Sequence, residues 1–341
     1  VVMPNTFRYF RWRVARIRLR IACAIARQFY RDVHGNGNKS ILVAGAARSG
    51  TTWLAQAIRS QTPCRIMFEP FHPGKIEAYR EFDYYQYVRP SEDHQQLFEY
   101  CQRLFKGEIR NPWVDTLVDV YRPQIRLVKA VRASFLLGWI HQRFPQVPIL
   151  FLVRHPCAVV ASRMENDWGT EDFAPCLQQE KLGEDYLGGK LEYLAGLGHS
   201  EEQHAALWGL HNMVALEHLA GGRGQVLFYE DLLLRPEEEL PRIFGAISQP
   251  YDDSVFRSLR EPSARASRKS AVVTGGDPLR QWQNTLSPTQ IERVLSVVDY
   301  LGLSHLYGDS NTPLVSSRST GSNESPDLGN QKAEEEAHGD G

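Results

Sequence analysis

The chain has 341 residues, with 39 Lys and Arg against 40 Asp and Glu, a formal net charge of −1, 42% hydrophobic and 23% charged residues. That balance suits a packed globular body and argues against nucleic acid as the main partner, since duplex binders carry a clear basic excess. Five cysteines without C-x-x-C spacing argue against a disulfide framework and fit a reducing compartment, and no H-E-x-x-H or EF-hand pattern predicts a metal.

In chain order, the first segment is 1–39. From Phe7 to Arg31 it holds eight arginines (Arg8, Arg11, Arg13, Arg16, Arg18, Arg20, Arg27 and Arg31) and no acidic residue. Phe7, Phe10, Trp12, Ile17, Ile21, Ile25 and Phe29 lie between them. The longest uncharged apolar stretch, Ile21 to Ala26, falls far short of the roughly 18–20 residues that span a bilayer. It also lacks the pattern of a secretory signal. Two readings stay open: a basic helix resting on an anionic membrane surface, or a solvated helix packed on the domain. The expected location is cytoplasmic, with that segment as the peripheral contact.

Residues 40–308 read as one domain. Short apolar runs at Ile41–Ala44, Arg65–Phe68, Arg126–Lys129, Pro148–Val153 and Gln225–Tyr229 alternate with helical patterns. This predicts an α/β fold of three layers, with a central, mostly parallel five-stranded sheet. Thr51–Ser60 reads as a helix. So does Glu201–Leu219, with Leu207, Leu210 and Val214 on one face and a stop at Gly221-Gly222. Arg235–Ile247 starts another, with Pro236 in its first turn and glutamates at the favourable end of the dipole. The tail 309–341, rich in Ser, Gly, Asn and Glu, has too few apolar residues to offset its ordering entropy and reads as disordered.

The stretch "ILVAGAARSGTTW" places a glycine loop between a strand and a helix. Amides at a helix start are unpaired and favour an anion. Gly45 and Gly50 allow close approach, Arg48 can fork two hydrogen bonds to phosphate oxygens, and Ser49, Thr51 and Thr52 add hydroxyl donors. The loop nearly spells the P-loop G-x-x-x-x-G-K-[ST], but Thr51 stands where its lysine would be. A triphosphate needs that cation at its outer phosphates, so a shorter anionic group is the better fit.

R-S-G-T-T-W resembles the 5′-phosphosulfate loop of sulfotransferases that use 3′-phosphoadenosine 5′-phosphosulfate (PAPS). The resemblance extends to "PILFLVRHPCAVVASRM", where Arg154 and Ser162 have the separation of the family's 3′-phosphate clamp, and to the Tyr-Glu-Asp-Leu turn in "LFYEDLLLRPEEEL". It runs from about Ser40 to Gly308, with the motifs in family order. It implies PAPS as co-substrate and no metal, so catalysis is expected to survive a chelator in a sulfate-transfer assay. Arg48 and the loop would hold one end of the nucleotide, and Arg154 with Ser162 the other. By the same resemblance Tyr229 lies near the adenine and Trp53 offers a stacking face, while both remain open as plain core aromatics. Arg268, Lys269, Ser270 and Trp282 are similar to a segment that closes over the 3′-phosphate, though the spacing is loose.

"FEPFH", "LVKAVR" and arginine before Ser-Gly look like the carbohydrate-type members of the Golgi and of bacteria, which implies a glycan or glycolipid acceptor. Lys129 would add positive charge at the transferring group, or be a strand-end surface lysine. Cytosolic members place a histidine two residues after that lysine; here the position is Val131. The resemblance to the carbohydrate-type members points instead to Glu69 as the base, with His72 as the rival. Arg132 binds an acidic acceptor or forms a salt bridge, and His155 is structural. The aromatic stretch Tyr79–Val88 lines the acceptor pocket or forms a peripheral amphipathic helix. Two other functions compete: a P-loop kinase or nucleotide triphosphatase, and a non-catalytic nucleotide- or glycan-binding member of the fold.

Overall fold

The computed structural model describes residues 39–315 and eight positions between Val14 and Phe29. The basic segment therefore lies mostly outside the described residues, as does the acidic tail beyond Val315. All five expected strands form: β1 (Ser40–Ala44), β2 (Cys64–Phe68), β3 (Ile125–Ala130), β4 (Ile149–Val153) and β5 (Gln225–Phe228). Their order is β2-β3-β1-β4-β5 and every pairing is parallel. Tyr229 does not end β5 but opens the helical turn after it.

The alternation of side chains divides the core into two layers. Leu42, Met67, Val128, Phe151 and Phe228 face α2 (Pro156–Met164), α3 (Ser200–Leu219) and α5 (Pro288–Tyr300). Ile41, Val43, Ile66, Leu127 and Leu152 face α1 (Thr51–Gln61) and α4 (Pro236–Ala246). Branched apolar runs without polar alternation are what a sheet covered on both sides requires. Among the described residues no helix is long and apolar enough to cross a membrane.

Helix α3 is buried beyond the one face read from its leucines, because it packs against α2, α5 and the Leu137–Arg143 helix at once. His204, His211 and His218, seven residues apart and so on one side, are at most 3% exposed. His204 Nε2 lies 3.1 Å from the Trp168 carbonyl. Neither ring nitrogen of His211 or of His218 has a hydrogen-bond partner among the described residues.

Tyr79–Val88 does not form the amphipathic helix that was one of its two readings. After a single 3₁₀ turn (Glu77–Tyr79) it runs irregularly, because Tyr79, Phe82, Tyr85 and Tyr87 each put a ring into the core. The sequence boundary at Gly308 also shifts. The Leu314 N–H donates to the Leu306 carbonyl at 2.9 Å and Val315 packs on the core, so the first residues of the tail belong to the domain.

Candidate active site

The strands deliver their carboxyl ends to one edge, where α/β sheets bind ligands. A cleft of about 830 Å³ opens there. β1 feeds the glycine loop and α1. Gly50, at φ 100°, is the N-cap of α1 and has no side chain to bond the first-turn amides. Those donors are left to water or an anion. A Cβ on Gly50 would stand 2.8 Å from Tyr229 Cδ2, and one on Gly45 would stand 2.3 Å from the Leu152 carbonyl oxygen. Backbone cannot yield as a side-chain end can. Gly45→Ala is therefore expected to lower unfolding free energy by more than about 2 kcal/mol, measurable by denaturant titration.

Arg48 sits at φ 76°, a left-handed conformation uncommon for any residue but glycine. Its Nε donates to Ser162 Oγ at 2.9 Å, and its guanidinium lies 5.8 Å from the Trp168 ring centroid. Burial, with Arg154 nearby, pushes its pKa down to about 10. Arg154, just past β4, donates to the Arg48 carbonyl at 3.1 Å and the Pro278 carbonyl at 3.3 Å, and lies 4.4 Å over the Tyr229 ring. Tyr229 and Trp53 pack together, ring centroids 5.1 Å apart, and Trp53 Nε1 donates to the Leu259 carbonyl. Both rings are at least nine-tenths buried, yet each keeps an edge in the cleft.

The loop and the clamp thus touch one another. Arg48 on Ser162 and Arg154 on the loop backbone form one contiguous patch. Ser162 reaches the cleft only through Arg48, and Ser49 is fully buried with its hydroxyl unpartnered among the described residues. Gly50, Thr51, Thr52, Arg268, Lys269 and Ser270 all line the cleft. Trp282 does not. It stacks on His155 at 4.6 Å and belongs to the core.

His155 is structural, as its sequence setting suggests. Its Nδ1 accepts from the Cys157 N–H at 3.2 Å, capping α2, and Nε2 meets the Gly308 carbonyl at 3.1 Å. The Tyr-Glu-Asp turn adds a brace. Glu230, fully enclosed, accepts from the His155 N–H at 3.0 Å and from the Tyr307 hydroxyl at 2.7 Å. This ties the residue after Arg154 to the end of the domain.

Across the cleft, Glu69 follows β2 at φ 47°. Its carboxylate receives Lys129 Nζ at 2.5 Å, Arg132 at 2.9 Å and the Val131 N–H at 3.2 Å. Burial pushes the Glu69 pKa up, but Lys129 and Arg132 overcome that and hold the carboxyl below the usual carboxylate range. Lys129 is therefore no surface lysine, and Arg132 takes its salt-bridge reading while lying 4.2 Å over the Tyr84 ring. His72 is not among the residues lining the cleft. Its ring packs edge-on against Tyr84 and Trp113, and burial pushes its pKa down to about 4.

Sequence reasoning missed Trp113, Trp168 and Arg265. The Arg265 guanidinium lies 4.4 Å over Phe68 and 5.9 Å from Trp113, which roofs the Glu69 end. Only its neighbourhood in the basic "RASRKS" run hinted at it.

Comparison with known proteins follows the same line. "Nodulation protein NoeE" of Sinorhizobium fredii is 24% identical over 276 residues, covering 76% of this chain. The chain spans 62% of that relative's length. Among solved structures, a mouse sulfotransferase complexed with PAP is 16% identical, with a TM-score of 0.43, over 82% of this chain and 87% of that one. The sulfotransferase domain from the curacin biosynthetic pathway is 13% identical, with a TM-score of 0.41, over 77% of this chain and 96% of that one. The sulfotransferase family profile matches residues 40–253, well over half of the sequence. The chain belongs to the sulfotransferase family.

Proposed function

We propose that the protein transfers a sulfuryl group from PAPS to a hydroxyl or amine of an acceptor, with a carbohydrate or glycolipid as the acceptor class. The observation that carries this reading is one cleft holding both an uncapped helix start beside two arginines and an ionised carboxylate paired with a lysine. The residues present fit a phosphate-bearing nucleotide. Arg154 Nε and Ser49 Oγ are buried without partners among the described residues, and Gly50 keeps open a space that a Cβ would fill.

When bound, PAPS supplies an activated sulfur with a phosphate leaving group. The α1 amides, Thr51 and Thr52 hold the 5′ side, and Arg48 and Arg154 neutralise charge beside them. Arg48 exchanges its Ser162 contact for a ligand oxygen, while Trp53 and Tyr229 offer their exposed edges to the base. Glu69 takes the acceptor proton at a carboxylate oxygen. Its depressed pKa keeps it ionised at neutral pH, and Lys129 and Arg132 orient it.

Arg154→Ala removes a charge-assisted donor worth roughly 1.5–3 kcal/mol. It is expected to weaken adenosine 3′,5′-bisphosphate binding by about 10- to 100-fold in titration calorimetry. Unchanged affinity would take Arg154 out of the nucleotide site. The whole reading is tested by labelled-sulfate transfer from PAPS to a glycan and lipid panel. Incorporation supports it. Magnesium-dependent ATP hydrolysis without sulfate transfer would replace it with the triphosphatase reading, and nucleotide binding without turnover with the non-catalytic one.

A further inference from the structure

None of the described positions ahead of β1 lines the cleft. Its eight described positions, Val14, Ile17, Arg18, Ile21, Ala24, Ile25, Gln28 and Phe29, are all helical. Among them Ile17, Ile21, Ile25 and Phe29 recur every fourth residue, the spacing that keeps side chains on one side of a helix. Ile17, Ile21, Ile25 and Phe29 are 51%, 57%, 47% and 64% exposed. A row of large apolar side chains open to water marks a contact surface rather than a solvated face. The same stretch of sequence, Phe7 to Arg31, carries eight arginines and no acidic residue.

These two properties select the occupant together. A soluble polyanion would satisfy the arginines and leave the apolar row in water. An apolar groove, on a second copy or another protein, would satisfy the row and leave the charge excess unmatched. The boundary between headgroups and acyl chains of an anionic bilayer meets both at once, with apolar side chains directed inward and guanidinium groups among the phosphates. We infer that this face docks the protein on an anionic membrane surface, lying in the plane of the interface. The inference rests on neither the cleft nor the reaction proposed for it.

The test is co-sedimentation of the full chain with vesicles of phosphatidylcholine alone and of phosphatidylcholine with phosphatidylserine. Binding is expected only with phosphatidylserine, falling as salt is raised. The double variant Ile21→Glu/Ile25→Glu should lose at least about tenfold in vesicle affinity while adenosine 3′,5′-bisphosphate binding stays unchanged. Equal binding to both vesicle types overturns the inference. So does salt-sensitive binding that survives the double variant, because the contact is then with charge alone. A dimer seen by light scattering and abolished by the same variant would show that a second copy covers the face, and overturns it as well.

Discussion

Glu69→Gln is expected to reduce turnover by about 10²–10⁴ while adenosine 3′,5′-bisphosphate affinity stays near that of the unaltered protein. Gln preserves the shape and an oxygen acceptor for the Val131 N–H but cannot take the acceptor proton. It also leaves Lys129 and Arg132, 2.5 and 2.9 Å away, without their shared negative charge. Breaking a buried ion pair costs about 3–5 kcal/mol of stability, so nucleotide affinity serves as the control that the variant is folded. Unchanged turnover removes Glu69 from the chemistry. The pH profile gives a second reading. A base works above its own pKa, and Glu69 is held below the carboxylate range, so its acid limb falls lower than that of an ordinary glutamate.

Loss of the fold in mild acid comes first. His155, His204, His211 and His218 are at most 3% exposed, and burial pushes their pKa values down to about 4, 4, 3 and 4. A free histidine titrates near 6.5. Below that pH the unfolded chain binds protons that the folded chain refuses, so stability falls as pH drops from about 6.5 towards 4. Each such group costs up to about 1.4 kcal/mol per pH unit. Four together reach the whole stability of a typical domain, roughly 5–15 kcal/mol, within one to three units. Thermal unfolding followed from pH 7 to pH 5 should show a steep fall in Tm. In His211→Leu, which removes one of these groups and two unpartnered nitrogens, the slope of unfolding free energy against pH should flatten by about 1.4 kcal/mol per unit. A Tm independent of pH across that window would show these rings to be less enclosed than the structure places them. Activity lost at pH 5 in step with unfolding then says nothing against Glu69.

The strands and the glycine loop were legible because their signals are local. A run such as Ile41–Ala44 ending in Gly45 specifies its own conformation, and the observed strands differ from the sequence reading only at their ends. Lys129 and Glu69 were each legible as residues at strand tips, but their ion pair depends on β2 and β3 being neighbours, which no local pattern states. The same holds for the Arg48–Ser162 contact, where side chains 114 residues apart in sequence meet because β1 and β4 are adjacent. Tyr79–Val88 was ambiguous for a different reason. Its aromatic density signals burial, but its rings enter the core from an irregular backbone that follows neither the helical nor the strand period. Trp113 and Trp168 gave no signal, and Arg265 only its place in a basic run, since each comes from a loop whose position only the packed domain defines.

The most direct measurement is titration calorimetry of the unaltered protein with adenosine 3′,5′-bisphosphate and, separately, with magnesium ATP. A cleft with Thr51 in place of the P-loop lysine, and with Arg48 and Arg154 beside the α1 amides, predicts that the bisphosphate binds at least about tenfold more tightly. Tighter binding of magnesium ATP would contradict the account.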